Sequence, residues 1–184
     1  RSSGKTSLLG SLMLEIMPRT RILSIEDTLE MPIDAMRKLG YNILRLKVRS
    51  ALLKESNEMP ADEGIRTSLR LGDSSLIVGE VRSVEAKALY EAMRIGALAN
   101  VVAGTIHGAS TYAVFDRVVN DLGVPVTSFK ATDLIIVANP VRSPDGLHSM
   151  RRIMQMTEVR KKWQKNRVGH YRSRRHIGCS WFKI

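Results

Sequence analysis

Apolar positions along this chain change their period several times, and each change marks an element. After Lys5, the residues Leu8, Leu9, Leu12, Met13, Ile16 and Met17 recur at helical spacing, which predicts a helix stopped by Pro18. "RILSI" (Arg21 to Ile25) reads as a short strand that runs into the acidic "EDTLE". A second helix is expected over Ile33 to Leu39, closed by Gly40. In "NILRLKVRS", Leu44, Leu46 and Val48 alternate with Arg45, Lys47 and Arg49, the period of a strand with one basic face. "KESNEMPADEG" is polar and reads as a surface loop, and the next helix, over Gly64 to Leu71, presents Arg66 and Arg70.

The second half repeats the alternation. "SLIVG" is almost wholly apolar, as expected of a strand in a parallel sheet covered on both faces. Ser83 is expected to cap a helix with Glu85 in its first turn, running to about Ala97. "NVVAGT" is the next strand and "TYAVFDRVVNDLG" the next helix, with Gly123 as its C-cap. "DLIIVAN" and "SMRRIMQMTEV" flank the turn-rich "PVRSPDG", two strands around one connection. Strands alternating with helices predict a doubly wound α/β fold with a mostly parallel sheet.

Composition narrows the picture. A chain of 184 residues with 43% apolar content suits one globular domain. No apolar run approaches the roughly 18 residues needed to cross a membrane, and no signal peptide is visible. The single cysteine, Cys179, excludes an internal disulfide and fits a reducing compartment. The net charge of +11 is unevenly spread: beyond Glu158 there are nine Lys or Arg and no acid. The first 158 residues carry 20 basic and 18 acidic residues, a balance of +2. The expected division is therefore a nearly neutral body, residues 1–160, and a basic tail, residues 161–184, disordered or atypical. The tail is read either as a terminus without a role or as a basic arm for anionic lipid or nucleic acid.

Four stretches carry chemistry. "RSSGKTSLL" ends like the phosphate loop G-x-x-x-x-G-K-[ST], whose first glycine would lie ahead of Arg1, so the chain is read as a fragment starting inside that loop. Backbone amides from Ser2 to Ser7, including those of Ser3 and Gly4, would cradle phosphate oxygens. Lys5 would meet the β- and γ-phosphates, and Thr6 would offer its hydroxyl to Mg²⁺. "SIEDTLE" brings Glu26, Asp27 and Glu30 to a strand end that faces the ligand crevice in doubly wound sheets, or forms only a solvated acidic turn. "SLIVGEVRS" is an apolar strand ending in Glu80, either a metal-linked acid or half of an exposed ion pair with Arg82. "AGTIHGAS" sets His107 among small residues, so that its ring can approach a ligand. A zinc cluster of His170, His176 and Cys179 in the tail is the weakest of these ideas.

Taken together, "RSSGKT", "SIEDTLE", "LIVGEVR" and "GTIHG" resemble the Walker A, Asp box, Walker B and His box of the secretion ATPases of type II secretion and type IV pilus systems. The resemblance is nearest to the archaeal branch, through "SIEDTLEMP", "RTSLRLGDSSLIVGEVRSVEA" and "FDRVVNDLGVPVTSFKATDLIIVANP", and it covers about residues 1 to 160. It implies a RecA-like P-loop core, here lacking its N-terminal central strand and so leaving an exposed apolar edge. It implies a homo-hexamer, ATP and Mg²⁺ as ligands, and hydrolysis that powers protein export or filament assembly. By position, Glu30 matches the general base, Glu80 the acid that holds Mg²⁺ directly or through water, and His107 the γ-phosphate sensor. Arg66, Arg70 and Arg82 match structural or subunit-contact arginines. The implied place is cytoplasmic and peripheral at the cell membrane, on an integral inner-membrane platform protein, with no direct nucleic acid. The alternatives are a nucleic-acid-linked P-loop ATPase and a non-catalytic nucleotide-binding regulator.

Overall fold

The computed structural model describes residues 3–49, 57–72, 75–95, 101–161, 163–165 and 171–173. In chain order the elements are α1 (Lys5–Met13), β1 (Ile22–Glu26), α2 (Ile33–Lys38), β2 (Ile43–Lys47) and α3 (Ala61–Ser68). They continue with β3 (Ser75–Val81), α4 (Glu85–Ile95), β4 (Val102–Ile106), α5 (Thr111–Asp116) and α6 (Val126–Phe129). The series ends with β5 (Leu134–Arg142), β6 (Ser149–Glu158), β7 (Trp163–Lys165) and β8 (Tyr171–Ser173).

Four strands form one parallel sheet in the order β2-β1-β3-β4. Its two faces are both buried, as the apolar runs of β1 and β3 require. Successive side chains point to opposite faces, so Ile22, Ile43 and Ile77 pack with Leu9 and Met13 of α1 and with Ile33 and Met36 of α2. On the other side Leu23, Ile25, Leu76 and Val78 join Ile65 of α3, Leu89 of α4 and Val114 of α5. The result is a three-layer α/β core with a mostly parallel sheet, as the alternation predicts. The hairpin β5–β6 is antiparallel, with a bulge between Val137 and Ala138. Among the described strands, β2 and β4 are the edges of the parallel sheet. No helix among the described residues is long and apolar enough to cross a membrane.

Several boundaries differ from the sequence expectation for local reasons. The first helix ends at Met13, and Leu14, Glu15 and Ile16 turn on i→i−3 bonds, so tightening precedes Pro18. The acids of "PADEG" belong to a helix rather than a loop: Pro60 precedes α3, and Asp62 and Glu63 occupy its first turn, where the helix dipole favours them. Ser83 does not cap α4 with its hydroxyl, which donates to Glu85 Oε2 at 2.7 Å. Glu85 instead folds back, its Oε1 accepting from the amides of Arg82 and Ser83. α5 widens at Arg117–Asp121 into a π-helical turn, closed by Leu122 N–H to the Arg117 carbonyl, before Gly123 turns the chain at φ 65°. Neither the short α6 nor the β7–β8 pairing, Trp163 opposite Ser173, stands out in the sequence pattern.

Gly64 fixes how closely α3 approaches the sheet: a Cβ added there would stand 2.9 Å from Val48 Cγ1. Replacing a helix-interior glycine by alanine ordinarily gains up to ~1 kcal/mol. Gly64→Ala is expected instead to lose about 1–3 kcal/mol, the usual cost of overpacking. A urea midpoint at or above that of the parent would refute this close-packing role.

Candidate functional site

The N-terminus of α1 is a turn that only glycine suits. Gly4 adopts φ 82°, and a Cβ at that position would meet Arg151 Cδ of β6 at 3.1 Å. From this turn α1 starts at Lys5, with Leu8 N–H bonded to the Gly4 carbonyl at 2.9 Å. Ser3 is buried and Ser7 is exposed, while Ser2 lies outside the described residues. Thr6 Oγ1 reaches across to the acidic turn after β1 and donates to Glu30 Oε2 at 3.0 Å. The structure therefore brings the two stretches together although 24 residues separate them.

The acids of "SIEDTLE" part company. Glu30 is exposed toward solvent and Thr6. Asp27 Oδ1 accepts from Thr28 N–H at 2.7 Å, and Asp27 Oδ2 pairs with Arg82 at 3.4 Å. Glu26 corrects the expectation that all three face the crevice: it is 1% exposed and turned into the protein. The last strand residue takes its direction from the alternation that buries Ile22 and Ser24 on the same face.

Glu80 stands at the centre of a polar chain. Val78 pairs with Gly104 and Val81 with Ile106, so β3 holds one more residue than β4 between those pairs. This bulge at Gly79–Glu80 re-aims the acid. Thr105 Oγ1 donates to the Gly79 carbonyl at 2.6 Å, meeting the acceptor that the irregular ladder leaves. Arg82 donates to Glu80 Oε2 at 2.5 Å and joins it to Asp27. On the other side His107 Nε2 lies 2.8 Å from Glu80 Oε1, a buried oxygen that accepts no aligned hydrogen bond.

The turn that carries His107 is held from two sides. Gly108 has no room for a side chain, since an added Cβ would lie 2.5 Å from Val114 Cγ2. Ser110 caps α5 by accepting from Ala113 N–H. From the hairpin, Gln155 Oε1 accepts from both the amide and the hydroxyl of Thr111. Sequence reading missed Gln155, Arg151 and Thr105, because their contacts span strands far apart in the chain. Arg66, by contrast, forms only an i,i+4 surface pair with Asp62 among its described partners.

Electrostatics set the charges of this chain. Burial pushes the Glu80 carboxyl up, but the Arg82 hydrogen bond and the charges of Arg82, His107 and Lys5 hold it below the usual carboxylate range. His107 is held below the ordinary histidine value, first by desolvation and then by the Lys5 ammonium, against the pull of Glu80. The site at pH 7 thus pairs an ionised Glu80 with a neutral imidazole. A cleft of about 330 Å³ opens beside Arg82, lined among others by Asp27, Arg49, Asp62, Glu80 and Glu85. Lys5, Thr6 and His107 lie outside its lining.

Among the described residues no group of three or more His, Cys, Asp or Glu side chains could hold a metal ion by itself. The zinc idea for His170, His176 and Cys179 falls outside the described residues. What remains fits a hard cation shared with a ligand: a Thr6 hydroxyl that can still accept while it donates to Glu30, and Glu80 Oε1, which accepts no aligned hydrogen bond with His107 Nε2 beside it.

The mostly parallel α/β sheet gathers acids and a histidine at its strand ends, near a Gly-Lys-Thr helix start. The chain belongs to the family described as type II/IV secretion system protein, whose sequence model matches residues 2–179. An uncharacterised protein of Methanocaldococcus jannaschii is 34% identical over 86% of this chain and 55% of its own length. The competence protein ComGA of Streptococcus pneumoniae is 33% identical over 66% of this chain and 34% of its own. The type IV secretion system protein PtlH of Bordetella pertussis is 30% identical over 62% of this chain and 32% of its own. Among solved structures, the VirB11 ATPase of the Brucella suis type IV secretion system shares the fold, with a TM-score of 0.65 at 20% identity over 85% of this chain and 45% of that one. The chain thus spans about half, or less, of the relatives it matches.

The opposing influences on His107 give a signed prediction. In an NMR titration without nucleotide, its ring is expected to titrate below about 6.5. Lys5→Met is expected to raise the midpoint and Glu80→Gln to lower it further. Because the fold favours the neutral ring, its contribution to stability is present above about pH 6.5 and fades as pH falls through the folded-state value. A midpoint above 6.5 in the parent, or no response to Lys5→Met, would contradict this account of the site.

Proposed function

We propose that the chain is the nucleotide-hydrolysing part of a motor that drives protein export or assembly of a pilus-like filament. The observation that carries this reading is the hydrogen bond from Thr6 to Glu30, which joins the phosphate-loop end to the acidic turn. Family membership supports it, since the relatives' names belong to secretion and competence systems.

In this reading the amides of Ser2 to Ser7 and the Lys5 ammonium bind the β- and γ-phosphates of ATP. Thr6 and Glu80 would hold Mg²⁺, directly or through water, and the ion supplies neutralisation of phosphate charge. Glu30 takes a proton from the attacking water, and neutral His107 exchanges its contact with Glu80 for the γ-phosphate, to which it donates its single ring N–H. Arg82 keeps Glu80 ionised and tied to Asp27. The further proposals are a homo-hexamer, residues 1–160 as the motor unit, residues 161–184 as an appended basic tail, and a place on the cytoplasmic side of a membrane platform protein.

One observation favours a second division of labour between the two glutamates. A hydroxyl that donates to a carboxylate keeps its lone pairs for a cation, so the Thr6–Glu30 bond puts Glu30 on the metal side. Glu80 Oε1, buried without a hydrogen bond, then takes the water's proton.

ATP turnover by the whole protein, titrated with Mg²⁺, separates the two. Loss of a general base is expected to lower kcat by ~100-fold or more with the Mg²⁺ midpoint unchanged. Loss of the metal-side acid is expected to raise the Mg²⁺ concentration needed for half-maximal rate. The first reading assigns these outcomes to Glu30→Gln and Glu80→Gln respectively, and the second reverses them. If both variants keep the parent's rate, neither glutamate is catalytic; if the parent binds ATP without turning it over, a nucleotide-binding regulator takes the motor's place.

A further inference from the structure

Glu26 is the most deeply buried acid near the site, and nothing in the hydrolysis scheme uses it. It is the last residue of β1, 1% exposed, with a side chain that accepts three hydrogen bonds and faces one guanidinium. Oε1 accepts from Ser24 Oγ at 3.0 Å and faces Arg45 Nε at 3.4 Å. Oε2 accepts from the amides of Glu30 at 2.9 Å and Met31 at 3.0 Å. Arg45, from the neighbouring strand β2, also donates to the Met31 carbonyl at 2.9 Å. The peptide that links Glu30 to Met31 and the groups flanking it are thus held by a carboxylate from β1 and a guanidinium from β2.

Burying a carboxylate in a sheet is unfavourable unless its partners are good. An apolar residue at position 26 would pack the same space, yet the neighbourhood is shaped around the acid. Gly79 on β3 leaves the room it needs, since a Cβ there would lie 3.2 Å from Glu26 Cγ. A strand-interior glycine itself weakens a sheet, and close approach of a neighbour is a usual reason for one. Two otherwise unfavourable choices, Gly79 and a buried Glu26, serve one result: a rigid backbone at Glu30.

We infer that Glu26, clamped by Arg45, is a positioning residue that sets the backbone, and so the carboxylate, of Glu30 against Thr6. This rests on the reading that Glu30 serves the nucleotide site, in either division of labour with Glu80. All four partners of Glu26 are donors. Glu26→Gln keeps shape and volume but presents an NH₂ group to one side or the other, leaving at least one donor facing a donor. Glu26→Asp keeps the charge but is one methylene too short to serve both the strands and the turn.

The test is a double-mutant cycle in the whole protein, with ATP turnover, equilibrium binding of a fluorescent ATP analogue, and thermal unfolding measured on each variant. Misplacing a reacting group by about 1 Å costs up to ~100-fold, so Glu26→Gln is expected to lower kcat by about 10- to 100-fold. Nucleotide affinity is expected to stay within about two-fold, because uniform binding is untouched. In the Glu30→Gln background the same change is expected to cost nothing further, whereas a merely structural role gives losses that multiply. If Glu26→Gln does not fold, Glu26→Asp carries the same criteria. The inference is overturned if kcat stays near the parent value while Glu30→Gln is inactive, if the losses multiply, or if neither Glu26 variant folds. If Glu30→Gln itself turns over normally, it is the reading of the site that fails, a different result.

Discussion

The structure depends on the parallel alignment of β1, β3 and β4. Ile22 lies beside Ser75 and Leu76 beside Val102, so the three strands start nearly level and deliver their C-terminal ends to one edge. Hydrogen bonding alone would place the ends there, but burial of both sheet faces makes the register hard to change. A slip of one residue would swap the side chains of β1 between the α1–α2 layer and the α3–α4 layer. The acidic turn, Glu80 and His107 therefore meet because two hydrophobic clusters are satisfied in only one register. The bulge at Gly79–Glu80 then makes a local exception, trading a ladder position for the direction of one carboxylate.

Charge organises what the sheet collects. Asp27, Arg82, Glu80 and His107 form a chain of contacts across the strand ends, with Lys5 acting on the last two. Desolvation and then the Lys5 ammonium favour the neutral imidazole, while Arg82 above all, with a smaller part from Lys5, holds the carboxylate ionised. A neutral ring donates one hydrogen bond without adding a charge, which suits a group that reads a phosphate rather than one that binds it. Beside this mostly half-buried chain, the buried Glu26 and its half-buried partner Arg45 hold backbone rather than ligand.

Much of this was legible in the sequence because it is local. The apolar runs of β1 and β3, the alternation in β2 and the glycines at positions 40 and 123 lead to the observed elements within a few residues. The candidate residues with a strand-end or helix-start signature, Lys5, Thr6, Glu30, Glu80 and His107, are likewise readable as candidates from the sequence alone. What stayed hidden is what depends on the third dimension. "SIEDTLE" offers three acids in five positions, and only the pleat decides that Glu26 turns inward while Asp27 meets Arg82. The basic side of "NILRLKVRS" looks like a solvated face, yet Arg45 spends its charge on a buried acid. Arg151 beside Gly4 and Gln155 bonded to Thr111 come from a hairpin that begins more than a hundred residues after the Gly4 turn.

In the proposed function the helix start at Gly4–Thr6, the turn at Glu30 and the strand ends at Glu80 and His107 form one nucleotide site. The most direct measurement is a structure of the whole protein with Mg²⁺ and a non-hydrolysable ATP analogue. The account predicts the triphosphate on the amides around Gly4 and Lys5, with Thr6, Glu30 and Glu80 around the metal and its waters, and His107 at the γ-phosphate. A nucleotide bound elsewhere, or phosphates at Lys5 with Glu30, Glu80 and His107 remote from them, would contradict it.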